Sequence, residues 1–153
     1  MKENRSATYQ RVWFITGSAA GLGRALTEAV LASGERAVVT ARTPERIRDL
    51  IERYPAQALV LELDVTRPDQ VRRAVSEAID RFGRIDVLVN SEGFSAALSE
   101  ELAPLVIKVV TIEPSSANGH QPGESATAAE GIIAAVDADA AGIGNREQTR
   151  EVT

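Results

Sequence analysis

The chain has 153 residues, of which 44% are hydrophobic and 25% are charged, and this balance predicts one globular domain with a hydrophobic core. A net charge of −5 excludes the basic footprint of nucleic-acid-binding proteins, and the absence of cysteine excludes disulfides, thiolate metal sites and a cysteine nucleophile. The first ten residues are polar and no apolar run is long enough to span a membrane. We therefore expect a cytoplasmic protein that binds neither membranes nor nucleic acid.

Apolar runs and amphipathic segments alternate along the chain from Arg11 onward. Continuous apolar runs indicate strands that are buried on both faces, because a strand with one solvated face would alternate apolar and polar residues. The predicted strands are Val12–Ile15, Ala37–Thr40, Ala58–Leu63, Ile85–Val89 and Val106–Ile112. Helix signals follow each of them, with Thr43 and the segment Thr66–Asp69 as expected caps.

This alternation predicts an α/β fold. Successive strand–helix–strand units imply parallel strands, and their right-handed crossovers place helices on both faces of the sheet. We expect a doubly wound, Rossmann-like parallel sheet of about five strands flanked by helices. The domain is predicted to span residues 11–137, between a disordered arm at 1–10 and a flexible tail at 138–153.

A glycine-rich turn joins the first predicted strand to the first predicted helix. Gly17, Gly21 and Gly23 permit a tight turn and a close approach of the main chain to a ligand. The helix that follows offers unpaired N–H groups and the positive end of its dipole, which together suit a pyrophosphate. The spacing is neither G-x-G-x-x-G nor a P-loop, and an ordinary strand–helix turn is the alternative.

Three motifs resemble those of the short-chain dehydrogenases/reductases. The run Thr16-Gly17-x-x-x-Gly21-x-Gly23 resembles the family's cofactor loop, and Leu63–Thr66 and Asp86–Asn90 match its later motifs in order and spacing. The likeness extends through residues 11–90 and implies a dinucleotide-binding oxidoreductase fold.

The resemblance also implies roles for individual residues. Asp64 would accept a hydrogen bond from the adenine amino group beside the main chain of Val65, and Asn90 would lie near the adenosine ribose. The residues that would shape or line the pyrophosphate loop are Gly17, Ala19, Ala20, Gly21, Leu22 and Gly23.

Arg42 indicates which dinucleotide is preferred. An acidic residue at the end of the second strand would bind the ribose 2′-hydroxyl, whereas an arginine can pair with a 2′-phosphate. The sequence Thr40-Ala41-Arg42 has no acidic residue there and favours NADP(H) over NAD(H). A solvated loop arginine is the alternative, and Ala19 and Ala20 stand where the family often has serine or arginine.

The family's catalytic residues have no counterpart in this sequence. The family uses a tyrosine for proton transfer and a lysine four residues later, a spacing that places both on one helix face. Neither Tyr9 nor Tyr54 is followed by lysine at that distance. The one histidine, His120, lies in a Pro/Gly-rich segment where solvation is expected, so we assign no catalytic residue and no metal ligand.

The resemblance locates the omission between Asn90 and Ser91. Residues 92–105 resemble the later part of the helix that begins with the catalytic tyrosine and lysine, and residues 106–114 resemble the strand after it. We therefore expect an internally truncated member of the family, without the helix–strand unit that carries the catalytic serine, tyrosine and lysine.

Three functions follow from these patterns. The favoured one is an NADP(H)-binding homologue of the oxidoreductases with little or no turnover. The second is an active NADP-dependent carbonyl reductase or alcohol dehydrogenase. The third is a non-catalytic dimerisation or regulatory partner, and a homo-oligomer stays open because the family often pairs through the helices after its fourth and fifth strands.

Overall fold

A computed structural model of the chain describes residues 11–19, 21–90, 96–105, 107–112, 122–141 and 149–152. The strands are β1 (Val12–Ile15), β2 (Arg36–Ala41), β3 (Ala58–Glu62), β4 (Val87–Asn90), β5 (Lys108–Ile112) and β6 (Thr149–Val152). The α-helices are α1 (Gly21–Ala32), α2 (Asp49–Arg53), α3 (Pro68–Phe82), α4 (Ala96–Leu102) and α5 (Pro122–Ala141). A 3₁₀ helix, Pro44–Ile47, precedes α2.

The strands form one parallel sheet in the order β3-β2-β1-β4-β5-β6. In its centre, Phe14 of β1 lies between Val38 of β2 and Leu88 of β4. The strand order reverses between β1 and β4, and a reversal of this kind opens a crevice at the carboxyl ends of the strands. The predicted doubly wound parallel sheet is confirmed, and its five predicted strands are all present.

Helices cover both faces of the sheet. Successive β1 residues point to opposite faces, so Trp13 contributes to a core cluster with residues of α1 and α5, and Phe14 contributes to a second one with residues of α3 and α4. Both side chains are fully buried. The continuous apolar strands of the sequence are therefore explained by burial on two sides. None of the described helices is long and apolar enough to cross a membrane.

Both helix starts lie where the sequence predicts them, with Thr43 at the cap of the 3₁₀ helix and Arg67, within the segment Thr66–Asp69, at the cap of α3. Neither residue makes a side-chain cap hydrogen bond. The hydroxyl of Thr66 is already engaged, because it donates to Asp64 Oδ1 at 2.6 Å. The glycine that follows Phe82 predicts the end of α3, and the structure confirms it, because Gly83 adopts a left-handed conformation with φ 83°.

The C-terminal segment contains secondary structure where the sequence analysis predicts a flexible tail. Helix α5 continues to Ala141, and β6 pairs with β5 through Val110 opposite Thr149 and Ile112 opposite Val152. Pairing of β6 satisfies N–H and C=O groups that β5 would otherwise present at the edge of the sheet. The sequence of β6 lacks the apolar run that identified the other five strands, which is why the pattern does not predict it.

Candidate functional site

The loop after β1 is anchored at the carboxyl edge of the sheet. The N–H of Thr16 donates to the carbonyl oxygen of Val89 at 3.0 Å, and the N–H of Ser18 donates to that of Thr40 at 3.1 Å. The Thr40 hydroxyl donates back to the Ile15 carbonyl at 2.9 Å. The loop is thus tied to β4 on one side and to β2 on the other, over the point where the strand order reverses.

Two glycines give this loop its shape. Gly17 and Gly21 have φ values of 65° and 62°, in the left-handed region that L side chains rarely adopt. A Cβ built on Gly21 would meet no described atom within 4 Å, so the space beside the main chain is open there. A ligand can approach this stretch of main chain closely.

The other predicted loop residues have different surroundings. Gly23 is buried inside the first turns of α1, where its carbonyl accepts a hydrogen bond from the Thr27 hydroxyl at 2.8 Å. Ala19 and Leu22 are half-buried against the core cluster of Trp13. Ala20 lies outside the described residues.

The amino end of α1 is suited to an anion. This helix begins at Gly21, directly after the loop, and its first turn contains no acidic residue. The first N–H groups of a helix lack partners within the helix, and the dipole adds partial positive charge at this end. These features make the region at the carboxyl end of β1 electropositive.

Arg42 and Asp64 meet at the same edge. Arg42 directly follows β2 and is exposed, and the N–H of Leu63 donates to the Ala41 carbonyl at 2.9 Å, which brings the end of β3 beside it. Hydrogen bonds from Thr66 lower the pKa of Asp64, and the positive charge of Arg42 lowers that pKa further. Arg42 is therefore close enough to Asp64 for their charges to interact.

The carboxylate of Asp64 keeps one oxygen available. Its Oδ1 accepts from the N–H of Thr66 at 3.0 Å and from the Thr66 hydroxyl at 2.6 Å. No other described residue hydrogen-bonds the carboxylate, so Oδ2 is left for a donor. The main chain is held as well, because the N–H of Asp64 donates to Gln70 Oε1 at 2.8 Å and Val65 is buried.

Asn90 carries an unpartnered polar atom. It is the last residue of β4 and only 7% exposed, and its Oδ1 has no hydrogen-bond partner in the described part of the chain. A buried acceptor without a partner costs roughly 1–3 kcal/mol. Such an atom at the mouth of the crevice fits a donor supplied by a bound ligand.

The described tyrosine and lysine lie at the amino-terminal ends of the strands, whereas the glycine-rich loop lies at the carboxyl ends. Tyr54 precedes β3, to which it is linked by the N–H of Ala58 donating to its carbonyl at 3.0 Å, and Lys108 is the first residue of β5. Both therefore stand at the amino-terminal edge of parallel strands. Tyr9 and His120 fall outside the described residues, among which no group of three or more potential metal ligands occurs.

The residues that hold the site in place are not predictable from the sequence. Thr40 and Gln70 contact the ends of β1 and β3 through single polar groups. A pattern search has no signal for such contacts, because they depend on how strands far apart in sequence are paired. Thr66 was visible as part of the motif Leu63–Thr66, although its predicted role was different.

Comparison with known proteins shows what this arrangement resembles. A family model described as "short chain dehydrogenase" matches residues 11–105. The curated protein "Oxidoreductase BOA17" of Botryotinia fuckeliana is 40% identical over 92 residues, which cover 60% of this chain and 34% of that protein. The match thus spans about a third of the length of the curated relatives.

Solved structures share the fold. A short-chain dehydrogenase from Streptomyces avermitilis has a TM-score of 0.65 at 25% identity, covering 92% of this chain and 63% of that one. A 3-ketoacyl-(acyl-carrier-protein) reductase from Brucella melitensis, solved with NADH, has a TM-score of 0.62 at 19% identity, covering 82% and 66% of the two chains.

Proposed function

Since this chain belongs to the short-chain dehydrogenase family, we propose that it binds NADP(H) through the pyrophosphate and adenosine end of the cofactor. The family consists of oxidoreductases that bind nicotinamide dinucleotides. The observation that carries the proposal is Arg42, which is exposed at the carboxyl end of β2 and interacts with the charge of Asp64. It lies two residues after Thr40, whose carbonyl oxygen is hydrogen-bonded to the glycine-rich loop.

The pyrophosphate would be held at the loop and the amino end of α1. Gly17 and Gly21 leave the main chain accessible, and unpaired N–H groups at the start of the helix would donate to the phosphate oxygens. Ala19, Ala20, Leu22 and Gly23 would shape the loop beneath.

The adenosine would lie across the ends of β3 and β4. Asp64 Oδ2 would accept from the adenine amino group beside the main chain of Val65, and Asn90 Oδ1 would accept from the adenosine ribose. Each of these atoms is an acceptor without a described partner, which supports the assignment.

The preference for NADP(H) depends on residue 42. Solved structures of the same fold include one that holds NADH and one that holds NADP, so the fold alone does not decide between the two dinucleotides. The guanidinium of Arg42 can form charge-assisted hydrogen bonds with a 2′-phosphate, whereas an acidic residue would repel it. Asp64 does not take that acidic role in this proposal, because its carboxylate is assigned to the adenine amino group.

We further propose that the chain turns over little or not at all. Bound NADP(H) would supply hydride transfer, but reduction also needs a proton donor beside the substrate. The sequence contains no Tyr-x-x-x-Lys, and Tyr54 and Lys108 lie at the edge of the sheet away from the loop. A cytoplasmic location and a homo-oligomer stay predictions.

Titration of the full chain with NADPH and with NADH, followed by cofactor fluorescence or calorimetry, tests the binding proposal. We expect NADPH to bind at least about tenfold more tightly, since hydrogen bonds to a charged group contribute roughly 1.5–3 kcal/mol. Arg42→Asp should reverse this preference. Absence of NADPH binding at millimolar concentration would overturn the proposal.

Arg48→Asp is the matched control. Arg48 is exposed in the same segment, pairs only loosely with Glu45 at 3.8 Å, and undergoes the same change of charge. Its substitution should leave the ratio of the two affinities unchanged. An equal loss of preference in both variants would mean that net charge, and not Arg42 itself, sets the preference.

The second candidate is an active carbonyl reductase, since a curated relative is named an oxidoreductase. Oxidation of NADPH in the presence of a panel of aldehydes and ketones tests it. We expect no rate above that of a Gly21→Val variant, in which the loop cannot keep its conformation. A rate that the wild type shows and this variant loses would establish turnover.

A further inference from the structure

The side chain of Arg24 joins the start of α1 to the turn that follows Arg42. Its Nη1 donates to the carbonyl oxygen of Arg46 and to Asp49 Oδ1, both at 3.2 Å, and its Nη2 donates to Asp49 Oδ2 at 2.6 Å. Its Nε donates to Glu28 Oε2 at 3.0 Å. All three guanidinium nitrogens are thus engaged in a planar geometry that a lysine cannot reproduce.

Arg42 lies between two fixed points of the main chain. Before it, the Ala41 carbonyl accepts a hydrogen bond at 2.9 Å from the residue after β3. After it, the N–H of Arg46 donates to the Thr43 carbonyl at 3.1 Å, which closes a turn. The carbonyl of Arg46 in turn accepts from Arg24, so one side chain of α1 fixes the far end of the segment that carries Arg42.

The ion pair at this position persists across the neutral pH range. The hydrogen bond from Arg24 lowers the pKa of Asp49, and the hydrogen bond to Asp49 raises the pKa of Arg24. The side chains of Arg24 and Asp49 are 24% and 47% exposed, and pairs so exposed contribute about 0–1 kcal/mol to stability. We therefore expect the contact between Arg24 and Asp49 to fix the position of the turn more than to stabilise the fold.

We propose that Arg24 is a positioning residue for the 2′-phosphate of NADP(H). It holds the turn that carries Arg42 at a fixed distance from the glycine-rich loop. The inference rests on the proposed function, in which the loop binds the pyrophosphate and Arg42 binds the 2′-phosphate. Because the two groups belong to one ligand, the two anion-binding parts of the site must keep their relative position.

Arg24→Gln tests the inference, with Arg53→Gln as its matched control. Arg53 Nη1 lies 3.6 Å from Glu28 Oε2 and 3.8 Å from Asp49 Oδ2, so it faces the same carboxylates but makes no described contact with Arg46. Both substitutions remove one positive charge. We expect Arg24→Gln to weaken NADPH about tenfold and NADH less than about twofold, and Arg53→Gln to change neither.

Asp49→Asn provides a second, conservative variant. It keeps the shape of the side chain and the bond from Arg24 to the Arg46 carbonyl, so a loss of NADPH affinity smaller than that of Arg24→Gln is expected. An equal loss of NADPH and NADH affinity in Arg24→Gln would indicate a general structural role and would overturn the inference. An unchanged ratio of the NADPH and NADH affinities in this variant would also overturn the inference.

Hydrogen exchange of the free protein gives a readout that needs no cofactor. Amides of residues 45–48 should exchange faster in Arg24→Gln and at the wild-type rate in Arg53→Gln. Unchanged exchange in both variants would contradict the positioning role even where affinities differ. If the wild type does not bind NADPH, the proposed function fails, and the exchange rates still decide whether Arg24 holds the turn.

Discussion

At the scale of a single residue, Asp64 shows how hydrogen bonds keep a half-buried carboxylate ionised. Two hydrogen bonds from Thr66, one from the hydroxyl and one from the N–H, account for most of the lowering of its pKa, and the charge of Arg42 contributes less. A lowered pKa means that the carboxylate is charged in the folded protein at every pH above the ordinary aspartate range. The stabilisation from these bonds is lost only as the pH falls through the lowered value.

Thr66→Val is expected to raise the pKa of Asp64 without restoring its ordinary value. Valine has the shape of threonine but no hydroxyl donor, whereas the N–H of residue 66 still donates to Oδ1. Arg42→Ala should raise the same pKa by a smaller amount. An NMR titration of the Asp64 carboxyl carbon measures both shifts, and a larger shift in Arg42→Ala than in Thr66→Val would contradict this ranking.

The role of a single residue could be predicted from the sequence only where a motif indicated that role. Gly17, Gly21, Arg42 and Asp64 were identified by their type and their place after a strand, and the structure brings them to one edge of the sheet. The role of Thr66 was not predictable. A threonine before a helix is a plausible cap, and only the observed turn shows that its hydroxyl serves Asp64 instead.

At the scale of elements, the start of α1 depends on Gly21 adopting a left-handed conformation. Any L side chain there costs about 1–2 kcal/mol in backbone strain, even though a Cβ would meet no described atom within 4 Å. Gly21→Ala should therefore destabilise the chain by about this amount, as measured by urea unfolding. It should also abolish measurable NADPH binding, because the relaxed loop no longer presents its N–H groups.

Gly83→Ala is the control that separates the effect of backbone strain on stability from the loss of NADPH binding. Gly83 has φ 83° and ends α3, and a Cβ added to it would likewise meet no described atom within 4 Å. The expected loss of stability is similar, again about 1–2 kcal/mol. NADPH affinity should stay at the wild-type level. Loss of binding in both glycine variants would attribute the effect of Gly21→Ala to general destabilisation.

The strands could be predicted from the sequence because burial on both faces requires a continuous run of apolar residues. Four apolar residues in a row at Val12–Ile15 indicate a covered strand, and Gly83 marks the end of α3. The start of the second helix was less predictable. Thr43 and Pro44 indicate one continuous helix, but the structure has a 3₁₀ turn before a short α2, with Ile47 and Leu50 both buried in the core cluster of Trp13.

At the scale of the whole molecule, a buried ion pair holds the edge of the sheet opposite the cofactor loop. Glu35, 5% exposed, accepts from Trp13 Nε1 at 2.9 Å and from Arg11 Nε and Nη2 at 2.9 and 3.0 Å. Arg11 Nη2 also donates to Asp137 Oδ1 at 2.6 Å. The group links the start of β1, the turn before β2 and helix α5, a tertiary contact that no local pattern in the sequence predicts.

Glu35→Gln is expected to reduce the free energy of unfolding by about 1–3 kcal/mol, because a neutral amide replaces the carboxylate that accepts from Arg11 and Trp13, while Arg11 keeps Asp137 as its remaining charged partner. The new amide N–H₂ would also face the donors of Arg11 and Trp13. Urea unfolding measures this loss, and Glu45→Gln, which breaks an exposed pair with Arg48, should cost no more than about 1 kcal/mol.

The loss of stability in Glu35→Gln should not be accompanied by a loss of affinity for NADPH. The ion pair lies at the amino-terminal ends of the strands, whereas the loop, Arg42 and Asp64 lie at their carboxyl ends, and the rigid strands between them are unchanged by the substitution. We expect the Kd for NADPH of the folded Glu35→Gln protein to match that of the wild type in calorimetry well below its unfolding temperature. A weakening of several-fold under those conditions would show that the two edges of the sheet are coupled, and the site would then depend on the whole sheet and not only on its carboxyl edge.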